Sequence, residues 1–133
     1  MSGRGGDSIV LYGTLQRGQP AFVRLGLGRR LRFVSGATVA GRLVDLGAYP
    51  GFVFGDAIVT GQLFAILDGS VLSDLDAFEG FDPSRHARSL YIRERIAVID
   101  PRRQAWIYRF NGSAAGRPEI GGGDWIAYRR RIR

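Results

Sequence analysis

Apolar residues in this chain come in short bursts closed off by glycine or proline, and their period changes along the sequence. The run from Ser8 to Tyr12 (SIVLY) reads as a buried strand stopped by Gly13, after which GTLQRGQ reads as a loop. Pro20 can open a helix, and Phe22, Val23 and Leu25 predict a short amphipathic one that its glycines end near Gly26 to Gly28. Leu31 and Phe33, then Val39, Gly41, Leu43 and Val44, predict extended chain. The turn-rich stretch GAYPGFVFG follows, then a second strand from Ala57 to Leu67 that pairs with the first. Val71, Leu72, Leu75 and Phe78 then switch to helical spacing, with Ser70 or Gly69 as the cap and Gly80 as the stop, so Glu79 falls at a helix C-terminus. After a polar excursion from Asp82 to Ser89, Leu90 to Ile99 alternates apolar and charged residues. The turn DPRRQ and the run Ala105 to Phe110 complete a hairpin. The Gly-rich remainder predicts a wrapped loop, a docked Trp125 and a loose basic end, and no internal repeat is visible.

Twenty glycines and five prolines in 133 residues favour short elements joined by tight turns, with strands dominating, and the length fits one domain. With 45% hydrophobic and 23% charged residues, the chain has the balance of a globular protein. Residues 1–7 and 129–133 are expected to be loose. No stretch approaches the roughly 18 apolar residues of a membrane span, and MSGRGGD lacks the apolar core of a secretory signal, so no membrane association and a cytoplasmic location are expected.

Composition removes much chemistry. The absence of cysteine excludes disulfides, thiolate nucleophiles and cysteine zinc sites. All nineteen cations are arginine, which excludes Schiff-base lysines and the phosphate-loop GK[ST] motif. A lone His86 in DPSRHARS builds no multi-histidine metal site, and a solvated loop is its plain reading. The net charge of +7 would attract nucleic acid, but the arginines are scattered and no RNP-like aromatic motif accompanies them, so a solvated surface is expected. Only Arg129 to Arg131 and Arg133 cluster, and that basic end is expected to be dispensable for turnover.

Three features keep chemical interest: Tyr12-Gly13-Thr14-Leu15 after the first strand, Gly47-Ala48-Tyr49-Pro50-Gly51 in a turn, and Leu75-Asp76-Ala77-Phe78-Glu79-Gly80. A glycine turn between a strand and a helix exposes several N–H groups in one concavity, which suits a carboxylate; Gly13 equally serves a tight turn with Tyr12 and Leu15 packed in the core. Glu79 lies between Phe78 and Phe81 at the negative end of a helix dipole. Desolvation and the dipole both raise a carboxylate pKa toward the range of a general base and acid, although an exposed glutamate at a helix end is also ordinary.

Taken in order, YGTL, G-x-Y-P-G, LDxFEG, the Y-x-R of Tyr91 to Arg93 and a late GDW resemble the γ-glutamylcyclotransferase-like superfamily, nearest its avirulence-induced-gene-like and γ-glutamylamine cyclotransferase branches, over roughly Val10 to Trp125. The resemblance implies a single small α+β domain, a mixed β-barrel with a few short helices, and no cofactor or metal. It implies that Glu79 is the catalytic glutamate, that Tyr12, Gly13, Thr14 and Leu15 form the substrate-gripping turn, and that Tyr49, Pro50 and Tyr91 border the pocket. The chain departs from the amine-specific pattern in the longer stretch DPSRHARSL between Glu79 and Tyr91, which bears on the pocket rim or the leaving-group side. The implied reaction converts a small-molecule γ-glutamyl amine, amide or peptide to 5-oxoproline and a free amine. The competing readings are a catalytically silent small-molecule or protein-binding module on the same fold and, last, an arginine-rich nucleic-acid binder. Monomer and homodimer are both compatible with the sequence.

Overall fold

The shortest strand, β1 (Ser8–Leu11), lies at the centre of the sheet and is buried along its whole length. The computed structural model describes residues 7–131. Around β1 are a helix α1 (Pro20–Arg24), strands β2 (Leu31–Asp45) and β3 (Pro50–Ile66), helix α2 (Val71–Glu79), strands β4 (Tyr91–Val98) and β5 (Arg103–Phe110), and helix α3 (Trp125–Arg131). Single 3₁₀ turns occupy Leu27–Arg29 and His86–Arg88.

The five strands run in the order β2-β3-β1-β5-β4. Two antiparallel hairpins, β2–β3 and β4–β5, are joined by β1, which pairs antiparallel with β3 from Ser8↔Ala65 to Leu11↔Gln62 and parallel with β5 at Ile9↔Trp106. The expected barrel is thus a mixed sheet that stays open. Closure would need a continuous ladder between the edge strands, and they meet at one bridge, Thr38↔Asp100. There the Thr38 N–H donates to the Asp100 carbonyl at 2.9 Å and the Ile99 N–H to the Thr38 carbonyl at 2.8 Å.

Because successive strand residues face opposite ways, β1 divides the interior into two cores. Ile9 and Leu11 pack with Phe64, Leu75, Tyr91, Tyr108 and Phe110 on the side covered by α1 and α2. Val10 and Tyr12 pack with Val39, Leu43, Phe52, Leu63, Ile107 and Trp125 on the other side, where α3 lies. Burial on both faces explains why SIVLY is continuously apolar where the outer strands alternate.

Several boundaries differ from the sequence reading. β3 begins at Pro50, so most of GAYPGFVFG is already strand and only Leu46–Tyr49 turns, closed by the Leu46 N–H on the Tyr49 carbonyl at 3.0 Å. A proline at the first residue of a strand has no N–H to lose from the ladder. Val23, expected on the apolar face of α1, is 76% exposed, because the helix is too short for three inward positions. The basic end is helical at Arg129–Arg131 rather than loose, held by the buried Trp125 at the start of α3. Asp7 is tied in by the Ile66 N–H at 3.0 Å; the rest of the expected loose ends, residues 1–6 and 132–133, lies outside the described residues.

Candidate active site

The chain leaves β1 at Tyr12 and turns at Gly13 beneath the end of the β2–β3 hairpin. A Cβ added to Gly13 would stand 2.9 Å from Pro50 Cγ and 3.0 Å from its Cδ, so glycine is what lets the turn pass under the proline ring. Gly13→Ala is expected to force the two walls apart at a cost of about 1–3 kcal/mol, read as a lower thermal midpoint. The turn is closed by the Gln16 N–H and the Gln16 side chain, both donating to the Gly13 carbonyl at 3.2 Å. Among the described residues, the N–H groups of Gly13, Thr14 and Leu15 have no internal acceptor. Three free donors on successive residues form a nest suited to an anion.

Opposite the turn stands the last turn of α2. Gly80 caps it in the left-handed conformation at φ 72°, which a glycine adopts without strain. This stop places Glu79, half-buried, on the wall of a cavity of about 200 Å³. Tyr12, Gly13, Thr14, Leu15, Tyr49, Pro50, Glu79 and Tyr91, all singled out in the sequence, line that one cavity, together with Val10, Leu11, Phe78, Leu90 and Tyr108. Of the longer stretch before Tyr91, Asp82 to Ser89 stays off the cavity wall and only Leu90 contributes.

Burial pushes the Glu79 carboxyl up to about 8, and no described cation pairs with it. Burial also raises the phenols of Tyr12, Tyr91 and Tyr108, and the Glu79 charge adds to each, so three tyrosines that stay neutral surround the carboxyl. Since the folded state holds the Glu79 proton up to about pH 8 and the ordinary value is 4.5, the folded chain binds the extra proton between those limits. Stability therefore falls as pH rises through that window. Glu79→Gln is expected to unfold at a higher temperature than wild type at pH 9, by on the order of 3 kcal/mol for a carboxyl facing an open cavity, with the gap closing toward pH 4.

The hydroxyls of Tyr12, Tyr91 and Tyr108 are committed to the frame. Tyr12 donates to the Tyr108 carbonyl at 2.6 Å and accepts from the Phe52 N–H at 3.1 Å, stitching β1 to both hairpins. Tyr91 donates to the Pro50 carbonyl at 2.6 Å, and its ring centroid lies 6.5 Å from that of the half-exposed Tyr49. Tyr12 and Tyr91 therefore shape the cavity with their rings, while the polar groups of its lining left without a hydrogen bond among the described residues include the turn amides, the Glu79 carboxyl and the hydroxyls of Thr14 and Tyr49.

Sequence reasoning missed the support beneath Glu79. Asp76, one turn earlier on α2 and 8% exposed, accepts from Arg93 Nε at 2.8 Å, from the second Arg93 nitrogen at 3.1 Å and from the Tyr108 hydroxyl at 2.7 Å. The Arg93 guanidinium also sits 4.5 Å from the Trp106 ring centroid. This cluster ties the C-terminal half of α2 to β4 and β5. The D of LDxFEG and the R of Y-x-R were the available signal. No group of three or more His, Asp or Glu side chains placed to hold a metal occurs among the described residues, and no described helix is long and apolar enough to cross a membrane.

Known proteins match this chain in sequence and in its open five-stranded α+β fold. Residues 9–127 match the family described as gamma-glutamyl cyclotransferase, AIG2-like; the chain belongs to that family and is an enzyme of the cyclotransferase type. A Vibrio cholerae protein provisionally named a gamma-glutamylcyclotransferase is 32% identical over 118 residues, 88% of this chain and 93% of its own. The gamma-glutamylcyclotransferase family protein YtfP of Escherichia coli K12 is 34% identical over 85 residues, 64% of this chain and 67% of its own. In fold, the structure superposes on an AIG2-like protein from Mus musculus with a TM-score of 0.68, covering 86% of each chain at 22% identity.

Proposed function

We propose that this chain converts a small γ-glutamyl amine, amide or peptide to 5-oxoproline and a free amine, with Glu79 as the proton carrier. The observation that carries the reading is the pairing of an uncompensated, desolvated Glu79 with three turn amides that have no acceptor among the described residues, across one small cavity. The amides of Gly13, Thr14 and Leu15 receive the substrate α-carboxylate, which orients the glutamyl unit with its α-nitrogen toward Glu79. Glu79 takes a proton from the α-ammonium, and the freed amine attacks the γ-carbonyl carbon of the same molecule. A C–N bond forms as the five-membered lactam closes, and the bond from the carbonyl carbon to the leaving nitrogen breaks as Glu79 returns the proton there. The regenerated carboxylate takes the second proton that the attacking nitrogen must lose to become the lactam N–H and passes it to the freed amine, which departs as an ammonium ion.

The proton affinities suit this exchange. A carboxyl near 8 is far closer in proton affinity to an α-amino group than an ordinary carboxylate is, and a base whose pKa lies near the working pH exchanges protons most effectively. Proximity comes from the substrate, because nucleophile and electrophile are parts of one molecule. A chain without cysteine fits a reducing compartment, so the proposal includes a cytoplasmic location.

Incubation with γ-glutamyl compounds, scored for 5-oxoproline, tests the reaction. A crystal soaked with 5-oxoproline should show its carboxylate on the Gly13–Leu15 amides and its ring nitrogen toward Glu79. Absence of 5-oxoproline from every compound would overturn the proposed reaction; a ligand bound elsewhere would overturn the anion site.

A further inference from the structure

The cavity under Glu79 is small for a whole γ-glutamyl compound. Its volume of about 200 Å³ lies below the roughly 300–1,000 Å³ common for pockets that enclose a drug-sized ligand. With the cyclising glutamyl unit at Glu79, a leaving amine longer than a few atoms reaches the edge of such a space. Thr14 marks a way out, since it lines both this cavity and a second groove of about 390 Å³. Ala48, which also lines the groove, directly precedes Tyr49 and Pro50 of the cavity wall.

The remaining wall of the groove comes mainly from α3 and is cationic. Arg129 and Arg130 line it, no acidic side chain does, and neither arginine forms any of the ion pairs among the described residues. Arg129 is held in place. It donates to the Gly47 carbonyl at 3.1 Å, and its guanidinium carbon lies 5.1 Å from the centroid of the buried Trp125 ring. Asp45, whose carboxylate feels the Arg129 charge, already accepts from the Tyr128 hydroxyl at 2.6 Å and the Gly47 N–H at 2.7 Å. Two guanidiniums outside the ion pairs of the described residues, in a groove that meets the cavity at Thr14, constitute a recognition surface for a planar anion.

Resting on the cyclotransferase reading, we propose that this groove is the leaving-group subsite and that Arg129 and Arg130 select leaving amines that carry a carboxylate. The preferred substrates are then γ-glutamyl amino acids or peptides over neutral γ-glutamyl amines. The basic end, which the sequence presents as a dispensable charge cluster, becomes a specificity element.

The test compares the full chain with its Arg129→Gln/Arg130→Gln double variant on γ-glutamyl-alanine and γ-glutamyl-alaninamide, which differ in one negative charge on the leaving group. Wild type is expected to favour the carboxylate compound by about tenfold in kcat/KM, expressed in KM and shrinking at high salt, as for exposed charge pairs. In the double variant the ratio should fall to within about twofold of one, with the thermal midpoint confirming a folded protein. Equal kcat/KM for the two compounds in wild type, or a ratio unchanged in the variant, overturns the subsite while the reaction stands. Absence of 5-oxoproline from both compounds, where another γ-glutamyl compound yields it, overturns the subsite alone; its absence from every γ-glutamyl compound overturns the reaction, and the subsite falls with it.

Discussion

Glu79→Gln is expected to leave a folded chain that still binds 5-oxoproline and turns γ-glutamyl substrates over about 10²- to 10⁴-fold more slowly, the usual worth of a positioned general acid–base. The amide keeps the size of the side chain and loses the capacity to take a proton. The loss should appear in kcat, because the substitution leaves untouched the Gly13 turn proposed to hold the substrate carboxylate. The pH profile gives the same assignment a second signature. Wild-type kcat/KM should rise with pH as the Glu79 carboxylate forms near 8 and fall again once the substrate α-ammonium has lost its proton, and the rising limb should be missing from the residual activity of Glu79→Gln. Near-wild-type activity in that variant, with activity abolished by Glu94→Gln or Glu119→Gln, would move the base elsewhere.

The largest effect on stability is expected from Asp76→Ala. It removes the acceptor of three hydrogen bonds and leaves the Arg93 guanidinium, 17% exposed, without its partner. Stranding a largely buried charge in this way costs about 3 kcal/mol or more, which for a domain of this size lowers the thermal midpoint by roughly 10 °C. Asp76→Asn keeps an acceptor for Tyr108 and should lose less. Equal midpoints for Asp76→Ala and wild type, measured at pH 7, would show that the cluster does not hold α2 to the sheet. Because Glu79 lies one turn further along the same helix, a fall in kcat should accompany the fall in midpoint.

The position of Glu79 was legible because local rules determine it: the spacing of Val71, Leu72, Leu75 and Phe78 makes the helix, and Gly80 ends it. The β4–β5 hairpin was legible for the same reason, its alternation and turn lying within twenty residues. What escaped was non-local. Nothing near Asp76 in the chain announces Arg93 or Tyr108, since their meeting depends on α2 crossing β4 and β5. The strand at Pro50 was hidden because GAYPG carries turn residues while its pairing with Asp45 and Val44 is set across the sheet. α3 was hidden by the glycines before it, and it forms because Trp125 finds a buried seat against the far core. An open sheet and a closed barrel share the same alternating strands, so closure was not readable from pattern.

β1 has four residues, yet it is the seam between two hairpins that can each form from neighbouring sequence. Local hairpins form early and non-local pairings late, since chain closure must precede their reward. The cavity draws Tyr12 and Gly13 from the seam, Tyr49 and Pro50 from one hairpin, and Tyr91 and Tyr108 from the other. The chain is therefore without this cavity until its two halves are sewn together. A molecule seated in the cavity touches all three pieces at once, so occupancy reports assembly of the whole domain and strengthens its weakest stitch.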